Sequence, residues 1–390
     1  MHIKRIRYSE SKNTPSEWII DDFTLGPINL IVGRNAVGKT RTIRAIAGLA
    51  KLLSVERKLV YLDGNYEVEF ENDSKIIKYI LEYHEKSIVK EVLDIDNKEL
   101  LSRGQDGSGR IYFEKEDKFL DFQPPKDELA AFARRDSIQH PFLEALTNWG
   151  SNLVLYFFGG KMGQESLLLS KDRETVKEID IKKTDQVIPF LLAGLNKFRD
   201  KYKNLLLADM RQIGYDLENI ETSILRNIIL ESNIPVDLLV SQPIGISVKE
   251  EDLVGLTDQP QMSQGMFRSL SLLIQLNYLF LQNQPGTILI DDIGEGLDFE
   301  RSSSLIKVLI RKASDFNSQL IMTTNDRFVM NSVPIEYWSI IDREGSTCRY
   351  YNYRNSKDIF DEYELTGLNN FDLFSSNFYL KNKVNKKDRQ

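Results

Sequence analysis

Cysteine and histidine are scarce in this chain of 390 residues, which contains one cysteine, Cys348, and three histidines. A single cysteine excludes a disulfide framework within the chain and is typical of a reducing compartment. Three histidines leave little material for a histidine-based metal cluster or for a Ser-His-Asp triad. The sequence therefore argues against a disulfide-stapled secreted fold and against the commonest hydrolase chemistry.

Long apolar runs and an excess of positive charge are also absent. The opening MHIKRIRYSE is charged and then polar, and apolar windows such as LVLYFF at 153–158 are too short to span a bilayer. The 51 basic and 58 acidic residues give a net charge of −7, which does not imply strong unspecific binding of nucleic acid but is compatible with a local basic face. We therefore expect a cytoplasmic globular protein without a membrane partner, for which a nucleic-acid partner is not implied.

A glycine-bearing turn follows an apolar stretch near the beginning of the chain. Residues 33–40, GRNAVGKT, fit the pattern G-x-x-x-x-G-K-[ST] between INLIV, typical of a buried strand, and a helical pattern at 40–58. In such a loop backbone N–H groups surround phosphate oxygens, the lysine reaches the β- and γ-phosphates, and the hydroxyl binds Mg²⁺. We therefore predict that this loop binds ATP and Mg²⁺, with Lys39 as a catalytic group and Thr40 as a metal ligand. The predicted nucleotide-binding residues here are Gly33, Arg34, Asn35, Ala36, Val37, Gly38, Lys39, Thr40 and Arg41.

A second carboxylate-bearing segment, TILIDDIGEGLD at 287–298, supplies what such a loop needs for hydrolysis. Three apolar residues lead into Asp291 and Asp292 at the predicted carboxyl end of a strand, where ligands gather in parallel sheets. We predict Asp291 as a Mg²⁺ ligand and Asp292 as the group that positions the attacking water. An Asp-Asp pair alone would more often simply end a strand, so this prediction depends on the glycine-bearing loop.

The segment QMSQGMFRSLSLL at 261–273 resembles the signature of the ABC-type ATPases, because it opens a predicted helix before the strand that carries Asp291. The resemblance implies that Ser263, Gln264 and Gly265 contact nucleotide, and Ser263 is also predicted to cap the helix. Glu295–Asp298 then matches the D-loop of that family, and LIMTTND matches its switch strand and loop, with Asn325 as a catalytic group. Arg268 lies one helical turn beyond the signature glycine, where it could bind a partner subunit or pair with an acid of its own lobe.

The ending LTGLNNFDLFSSNFYL and the SQGMFR form of the signature resemble the stand-alone ABC-type ATPases of bacterial defence modules, which are nearer to RecF and the OLD family than to transporters. SMC and RecN relatives place long coiled-coil arms between the two motifs, whereas residues 41–262 show no sustained heptads. The resemblance implies an α/β fold: an ABC-type P-loop NTPase head with a β-rich first lobe, a parallel-sheet core and a helical lobe.

Four segments are predicted along the chain. They are a first ATPase lobe with the P-loop at 1–125, a helical lobe at 126–260, the signature, Walker B, D-loop and switch region at 261–355, and a C-terminal tail segment at 356–390. Residues 126–235 are expected to be mostly helical, and PIGISVKEEDLVGL a short strand or hairpin. Gln123 is predicted to join the lobes and to contact Mg²⁺ or the attacking water, with Gln139 as the alternative.

Two positions depart from the family pattern and predict slow turnover. Asp292 stands where the family has glutamate, so its carboxylate lies about 1.5 Å further from its target, and a misplacement of about 1 Å can cost about 100-fold in rate. Asn325 stands where the family usually has histidine and cannot carry a proton. Glu295 is a candidate for compensating the shorter side chain of Asp292.

The resemblance implies a homodimer, or a higher even oligomer, in which two copies pack head to tail around ATP. Lys39 and Asp291 of one copy and Ser263 and Gly265 of the other would then enclose each nucleotide. We expect a slow ATPase that acts as a switch or sensor for a separately encoded effector protein, docked on the helical lobe, in anti-phage defence. The alternative is a RecF-like ATPase that binds DNA during repair or recombination.

Overall fold

The computed structural model describes residues 1–56, 58–169, 179–225, 242–284 and 286–381. The chain forms two compact units, and it passes between them more than once. The first unit contains residues 1–153, 286–289 and 317–390, and the second contains residues 154–285 and 290–316.

Strands and helices are numbered along the chain. The strands are β1 His2–Glu10, β2 Trp18–Thr24, β3 Ile28–Val32, β4 Gly64–Asn72, β5 Lys75–His84, β6 Ser87–Ile95, β7 Lys98–Arg103, β8 Gly109–Phe113, β9 Lys118–Phe122, β10 Val154–Phe157, β11 Leu168–Leu169, β12 Leu217–Ile224, β13 Pro243–Glu250, β14 Thr257–Asp258, β15 Thr287–Asp291, β16 Gln319–Thr324, β17 Trp338–Glu344 and β18 Thr347–Asn352. The described α-helices are α1 Lys39–Ser54, α2 Ala130–Ala133, α3 Glu144–Ser151, α4 Val187–Ile213, α5 Gln264–Leu281, α6 Phe299–Asp315, α7 Arg327–Ser332, α8 Lys357–Glu364 and α9 Asn370–Ser375.

The first unit is organised around a mixed sheet in the order β16-β3-β17-β18-β2-β1-β4-β5-β6-β7-β8-β9. Strand β3 lies between two parallel neighbours, β16 and β17, and all five of its residues are buried. Such a continuous apolar run is typical of a parallel strand that is covered on both faces. The strands β1-β4-β5-β6-β7-β8-β9 of this order pair antiparallel with their neighbours. Buried and less buried side chains alternate along β4 and β5, as expected for strands of this kind.

Helix α1 covers this sheet with an apolar stripe and packs against α3. Ile43, Ile46, Leu49 and Leu53 recur at helical spacing and are fully buried. The two helices approach closely at Gly150, where a Cβ atom would lie 2.6 Å from the carbonyl oxygen of Ala50. Together these contacts fix the direction in which the chain leaves β3.

The second unit contains a small sheet in which β13 pairs antiparallel with β11, β12 and β14. Helices α4, α5 and α6 complete this unit. Every residue of α5 from Gly265 to Phe280 is buried, so its polar side chains need partners inside the protein. Asn277 donates to Asp209 of α4 at 2.7 Å, and Lys312 of α6 lies 2.8 Å from the same carboxylate. A buried charged cluster therefore joins the three helices.

The predicted α/β fold is confirmed, with the glycine-bearing turn between a buried strand and a helix. The strand expected within PIGISVKEEDLVGL is also present, as β13. The expectation of mostly helix over 126–235 is wrong for residues 154–157 and 217–224, which form β10 and β12. Leu217, Ile220 and Ile224 have helical spacing, but Ile224 is exposed. Leu217 and Ile220 are both buried on a strand because the register with β13 is irregular between Leu217 and Asn219. Residues 382–390 of the C-terminal tail segment lie outside the described residues, and so do residues 226–235.

Among the described residues, none of the helices combines the length and the apolar content needed to cross a membrane.

Candidate functional site

The P-loop, Gly33–Thr40, connects β3 to α1 in the first unit. Gly33 is required by close packing, because a Cβ atom there would lie 2.5 Å from the Ile341 side chain of β17. Gly38 precedes α1 with a φ of 112°, a conformation that other residues rarely adopt. Ala36 also has a positive φ, of 61°. Ala36 and Gly38 therefore flank Val37 with left-handed conformations, and a turn in which such conformations alternate with others forms a concave backbone surface that binds anions.

Lys39, the first residue of α1, points back along the P-loop. Its ammonium donates to the carbonyl oxygens of Gly33, at 2.9 Å, and Arg34, at 3.0 Å, and the residue is buried. A compact, desolvated positive charge held inside the loop favours binding of a polyanion. Thr40, the predicted metal ligand, follows at the half-buried second position of the helix.

Asn325 lies at the same edge of the sheet as the P-loop. Strands β16 and β3 are parallel, and Thr324 pairs with Val32, so Asn325 and Gly33 both follow at the carboxyl ends of adjacent strands. Asn325 is exposed, and Asp326 caps α7 by accepting from Phe328 N–H at 2.6 Å. The first unit therefore brings Asn325 to the edge that carries the P-loop.

The two arginines predicted to bind nucleotide make contacts of their own within the first unit. Arg34, which is exposed, donates to the side chain of Asn377 at 3.3 Å. Arg41 donates to Glu10 at 2.6 Å, and its guanidinium lies 4.8 Å from the centre of the Trp18 ring. Their assignment to nucleotide stays a prediction.

Gln123 follows β9, at the opposite end of the strand order from β3. Its side chain is exposed, and the carbonyl oxygens of the next two residues, Pro124 and Pro125, accept from Arg103 at 3.3 and 2.8 Å. Gln139, the alternative, lies in a turn whose Asp136 accepts from its N–H at 2.6 Å. These positions do not decide between the two glutamines.

The signature segment, Met262–Met266, begins α5 in the second unit. Ser263 caps this helix of 18 residues, since its hydroxyl accepts from Met266 N–H at 3.2 Å, as the sequence predicts. Ser263 and Gln264 are exposed, whereas Gly265 is buried. A Cβ atom on Gly265 would lie 2.8 Å from the carbonyl oxygen of Gly296. The exposed N-terminus of a long helix, open to solvent at Ser263, is suited to an anionic group.

Gly265 packs on the D-loop, Glu295–Asp298, and Arg268 fixes both. The Arg268 guanidinium donates to the carbonyl oxygens of Glu295 at 2.8 Å, Gly160 at 2.9 Å and Gly159 at 3.0 Å. Neither predicted role holds for Arg268, since it is buried and bonds backbone oxygens of its own unit rather than an acid or an exposed interface. The guanidinium fits because Gly296 lacks a side chain, since a Cβ atom there would lie 2.8 Å from the Arg268 guanidinium.

Asp291 and Asp292 end β15 in the second unit. Asp291 is buried, and its carbonyl oxygen accepts from Phe158 N–H at 2.9 Å. Asp292 has a φ of 54°, which is uncommon for a residue with a side chain and typical of functional turns. A Cβ atom on Gly159 would lie 3.4 Å from Cβ of Asp292 and 2.4 Å from Oε2 of Glu295. Both acids therefore crowd the same glycine.

Tyr215 and Arg301 adjoin Ser263, and the sequence analysis does not find them. All three line one cavity of about 550 Å³ in the second unit. Burial raises the pKa of Tyr215, while hydrogen bonding to Ser263 acts in the opposite direction. The Arg301 guanidinium lies 4.5 Å from the centre of the Tyr215 ring and 2.8 Å from Asp298. Tyr215 and Arg301 are far from Ser263 in the sequence and lie beside the signature only in the folded chain. No sequence motif could therefore reveal them.

Sets of predicted residues thus gather within each unit. In the first unit the P-loop and Asn325 share one edge of the sheet. In the second, Ser263, Gly265, Asp291, Asp292 and Glu295 are joined through the D-loop and Arg268. These features define a P-loop protein of the α/β class. Its second unit presents the N-terminus of α5 beside a turn that contains Asp292 and Glu295, called the acidic turn below.

Comparison with known proteins extends this result. Residues 28–331 match the family model AAA_21, described as "AAA domain, putative AbiEii toxin, Type IV TA system". Because the match covers most of the chain, the protein belongs to this AAA family, and the expected ABC-type AAA ATPase is confirmed. No curated protein matches the chain.

Three solved structures are similar at low identity. The first is the SMC head bound to the C-winged helix domain of ScpA, with 11% identity, a TM-score of 0.49, and coverage of 90% of this chain and 97% of that one. The second is the SMC head domain from Thermotoga maritima, with 10% identity, a TM-score of 0.43, and coverage of 90% and 98%. The third is an SMC head with an extended coiled coil bound to the C-terminal domain of ScpA derived from Pyrococcus furiosus, with 10% identity, a TM-score of 0.44, and coverage of 93% and 99%.

Proposed function

We propose that this protein is a slow ATPase that pairs head to tail when it binds ATP and thereby controls a partner protein. In this proposal the P-loop holds the triphosphate and Ser263 of a second copy contacts the γ-phosphate. The proposal rests on the geometry of the P-loop. The buried Lys39 side chain donates to the carbonyl oxygen of Gly33, and Gly38 ends the loop with a positive φ. Membership of an ATPase family supports nucleotide as the ligand.

Magnesium fits the residues that are present. The turn at Gly33–Thr40 is shaped for phosphate, and the chain offers the Thr40 hydroxyl and the Asp291 carboxylate, which are the oxygen ligands that Mg²⁺ prefers. When bound, Mg²⁺ would neutralise charge on the phosphate oxygens. The role proposed for Asp292 is to orient water, with Glu295 beside it over Gly159.

The pairing step follows from the exposure of the signature. Ser263 and Gln264 present the N-terminus of α5 to solvent, where its positive dipole can act on a group outside the chain. A helix N-terminus that contacts the γ-phosphate gives ATP an affinity for the closed pair that ADP lacks. Only such a difference in affinity allows a nucleotide to drive a change of state.

A short side chain at Asp292 and an asparagine at 325 support slow hydrolysis, because neither matches the geometry or proton chemistry of the faster family members. A slow cycle suits a sensor that holds one state for long enough to act on a partner. The family description names a toxin and a Type IV TA system, and within such a system we propose a separately encoded effector as that partner. A role in anti-phage defence is part of the proposal.

Nucleotide binding is tested first with Lys39→Ala. This variant should lose ATP binding in calorimetry, because the loop loses the buried charge that faces the phosphates. Lys51→Ala, at the last turn of the same helix, is the matched control, since Lys51 pairs with Glu56 on the surface. Lys39→Ala with the affinity of the control would contradict the proposal.

The partner is tested by purifying the protein from its native operon with and without ATP. We expect a second protein to co-purify and the association to depend on nucleotide. DNA-stimulated hydrolysis, together with binding that weakens steeply with salt, would instead indicate the RecF-like alternative. Isolation of the chain alone under all nucleotide conditions, with no effect of co-expression, would contradict control of an effector.

A further inference from the structure

Side chains outside the P-loop motif donate hydrogen bonds to three consecutive carbonyl groups of the P-loop. The Arg343 guanidinium donates to Ala36 at 3.3 Å, the Cys348 thiol donates to Val37 at 3.3 Å, and the Thr42 hydroxyl donates to Gly38 at 2.9 Å. Two of these donors come from β17 and β18, and none belongs to the sequence motif. The second half of the loop is therefore oriented by side chains from outside it.

The direction of each carbonyl decides where the next N–H group points. The described chain has no cis peptide bond, and in a trans peptide the C=O and the following N–H point to opposite sides. Because the Val37 carbonyl faces Cys348, the Gly38 N–H faces the other side of the loop. The Ala36 carbonyl likewise directs the Val37 N–H. These are backbone donors of the kind that a P-loop offers to phosphate oxygens.

Cys348 is itself held in place by Trp18. The indole N–H donates to Sγ at 3.1 Å, so the sulfur accepts from one side and donates its own proton to Val37 on the other. Both residues are fully buried. Burial raises the pKa of the Cys348 thiol, which keeps the thiol in its protonated, donating form.

The loop rests directly on this pair. A Cβ atom on Gly38 would lie 3.2 Å from the Trp18 ring and 3.4 Å from Sγ of Cys348. The Trp18 ring also lies 4.8 Å from the guanidinium of Arg41, which is paired with Glu10. The order Trp18, Cys348, Val37 therefore runs from the core of the first unit to the floor of the P-loop.

We infer that Cys348, oriented by Trp18, is a positioning residue for nucleotide binding, which acts by aiming the Gly38 N–H at a phosphate group. The inference rests on the proposed binding of ATP at the P-loop. The simpler interpretation is that Cys348 only fills space beneath β18. The two interpretations differ, because a space-filling residue affects unfolding but has no separate effect on affinity.

The test compares Cys348→Ala with Cys348→Ser, measuring the Kd for ATP by calorimetry and Tm by scanning calorimetry on the full chain. Cys348→Ala removes the donor and should raise Kd about tenfold, and Cys348→Ser keeps a donor and should stay within about threefold of the natural protein. Tyr79→Phe is the matched control, because it also removes one buried hydrogen bond of the first unit, at 2.9 Å to Glu91, away from the P-loop. It should lower Tm but leave Kd unchanged.

Three results would overturn the inference. The first is that Cys348→Ala binds ATP with an unchanged Kd while Lys39→Ala fails to bind ATP. The second is that Tyr79→Phe loses as much affinity for ATP as Cys348→Ala does. If Cys348→Ala does not fold, Trp18→Phe keeps an aromatic ring under Arg41 but removes the indole N–H. That variant should raise Kd and speed amide hydrogen exchange across 33–42, and an unchanged Kd and exchange rate would be the third. Normal ATP binding by Lys39→Ala would instead defeat the proposed function.

Discussion

The two units stabilise their functional loops differently. In the first, the P-loop carbonyls are bonded by Lys39 from within the motif and by Cys348 and Arg343 from neighbouring strands. In the second, Arg268 alone bonds three backbone oxygens and so joins the signature helix to the D-loop and to Gly159–Gly160. The free energy of unfolding should therefore fall less when the P-loop loses one of these donors than when the second unit loses Arg268.

This difference also bears on what each unit does. The P-loop carbonyls are bonded by side chains of β17, β18 and α1, which orient backbone donors that the proposed cycle uses. In the second unit one arginine contacts both the D-loop and the signature helix, so its loss should affect the two together. The predictions below test this contrast, beginning with the largest expected effect.

Substitution of Ser263 should separate capping from contact with nucleotide. Ser263→Asp keeps a good helix cap but places a negative charge where the γ-phosphate is proposed to bind. In an Asp292→Asn background, which should stall turnover and accumulate the closed pair, we expect Ser263→Asp to abolish ATP-dependent pairing in light scattering. ATP binding to the P-loop should remain.

Ser263→Ala is the control for this experiment. It should lower the free energy of unfolding by about 1 kcal/mol through loss of the cap while leaving most of the pairing intact. A Ser263→Asp variant that pairs as strongly as its parent would show that the signature does not face the phosphate. A monomeric Asp292→Asn protein at saturating ATP would contradict the pairing itself.

Arg268→Met tests the buried arginine that bonds three backbone oxygens of the second unit. The change leaves the carbonyl oxygens of Glu295, Gly159 and Gly160 without their donor, so the free energy of unfolding should fall by about 3 to 5 kcal/mol in urea denaturation. Arg311→Met is the matched control. Arg311 is half exposed and lies 3.8 Å from Asp209, so its loss should cost less than about 1 kcal/mol. Equal stability of the two variants would remove the contrast between the units.

The two units also differ in how much of their fold and candidate site can be predicted from the sequence. Gly33–Thr40 and Asp291 can be proposed from the sequence because phosphate and metal chemistry demand those residue types next to a buried strand, so the pattern is local. The strand at 217–224 cannot be predicted in this way, because Leu217, Ile220 and Ile224 have helical spacing, and the irregular register that buries both Leu217 and Ile220 lies in the pairing with β13.

The supports could not be predicted, because they are far apart in sequence. Cys348 and Trp18 reach the P-loop only through the pairing of β18 with β2, and Tyr215 reaches Ser263 only through the fold of the second unit. No periodicity or motif marks such residues, since many sequences could supply a hydrogen-bond donor at those positions. Arg268 shows the same limit, because its partners are backbone oxygens, which every residue has.

The smallest expected effect concerns the D-loop end of α6, where Asp298 caps the helix by accepting from Arg301 N–H at 2.9 Å. This backbone hydrogen bond, with the Arg301 charge, holds the pKa of Asp298 below its usual value. A carboxyl group whose pKa is lower in the folded state stabilises the protein above its unfolded-state pKa, and that contribution is lost as the pH falls through the folded value. The natural protein should therefore lose a little stability at the acidic end of a urea series, and Asp298→Asn should lose less there. Asp315→Asn, at the opposite end of the same helix, makes the same change in net charge, so a slope altered equally in both variants would show that the cap is not responsible.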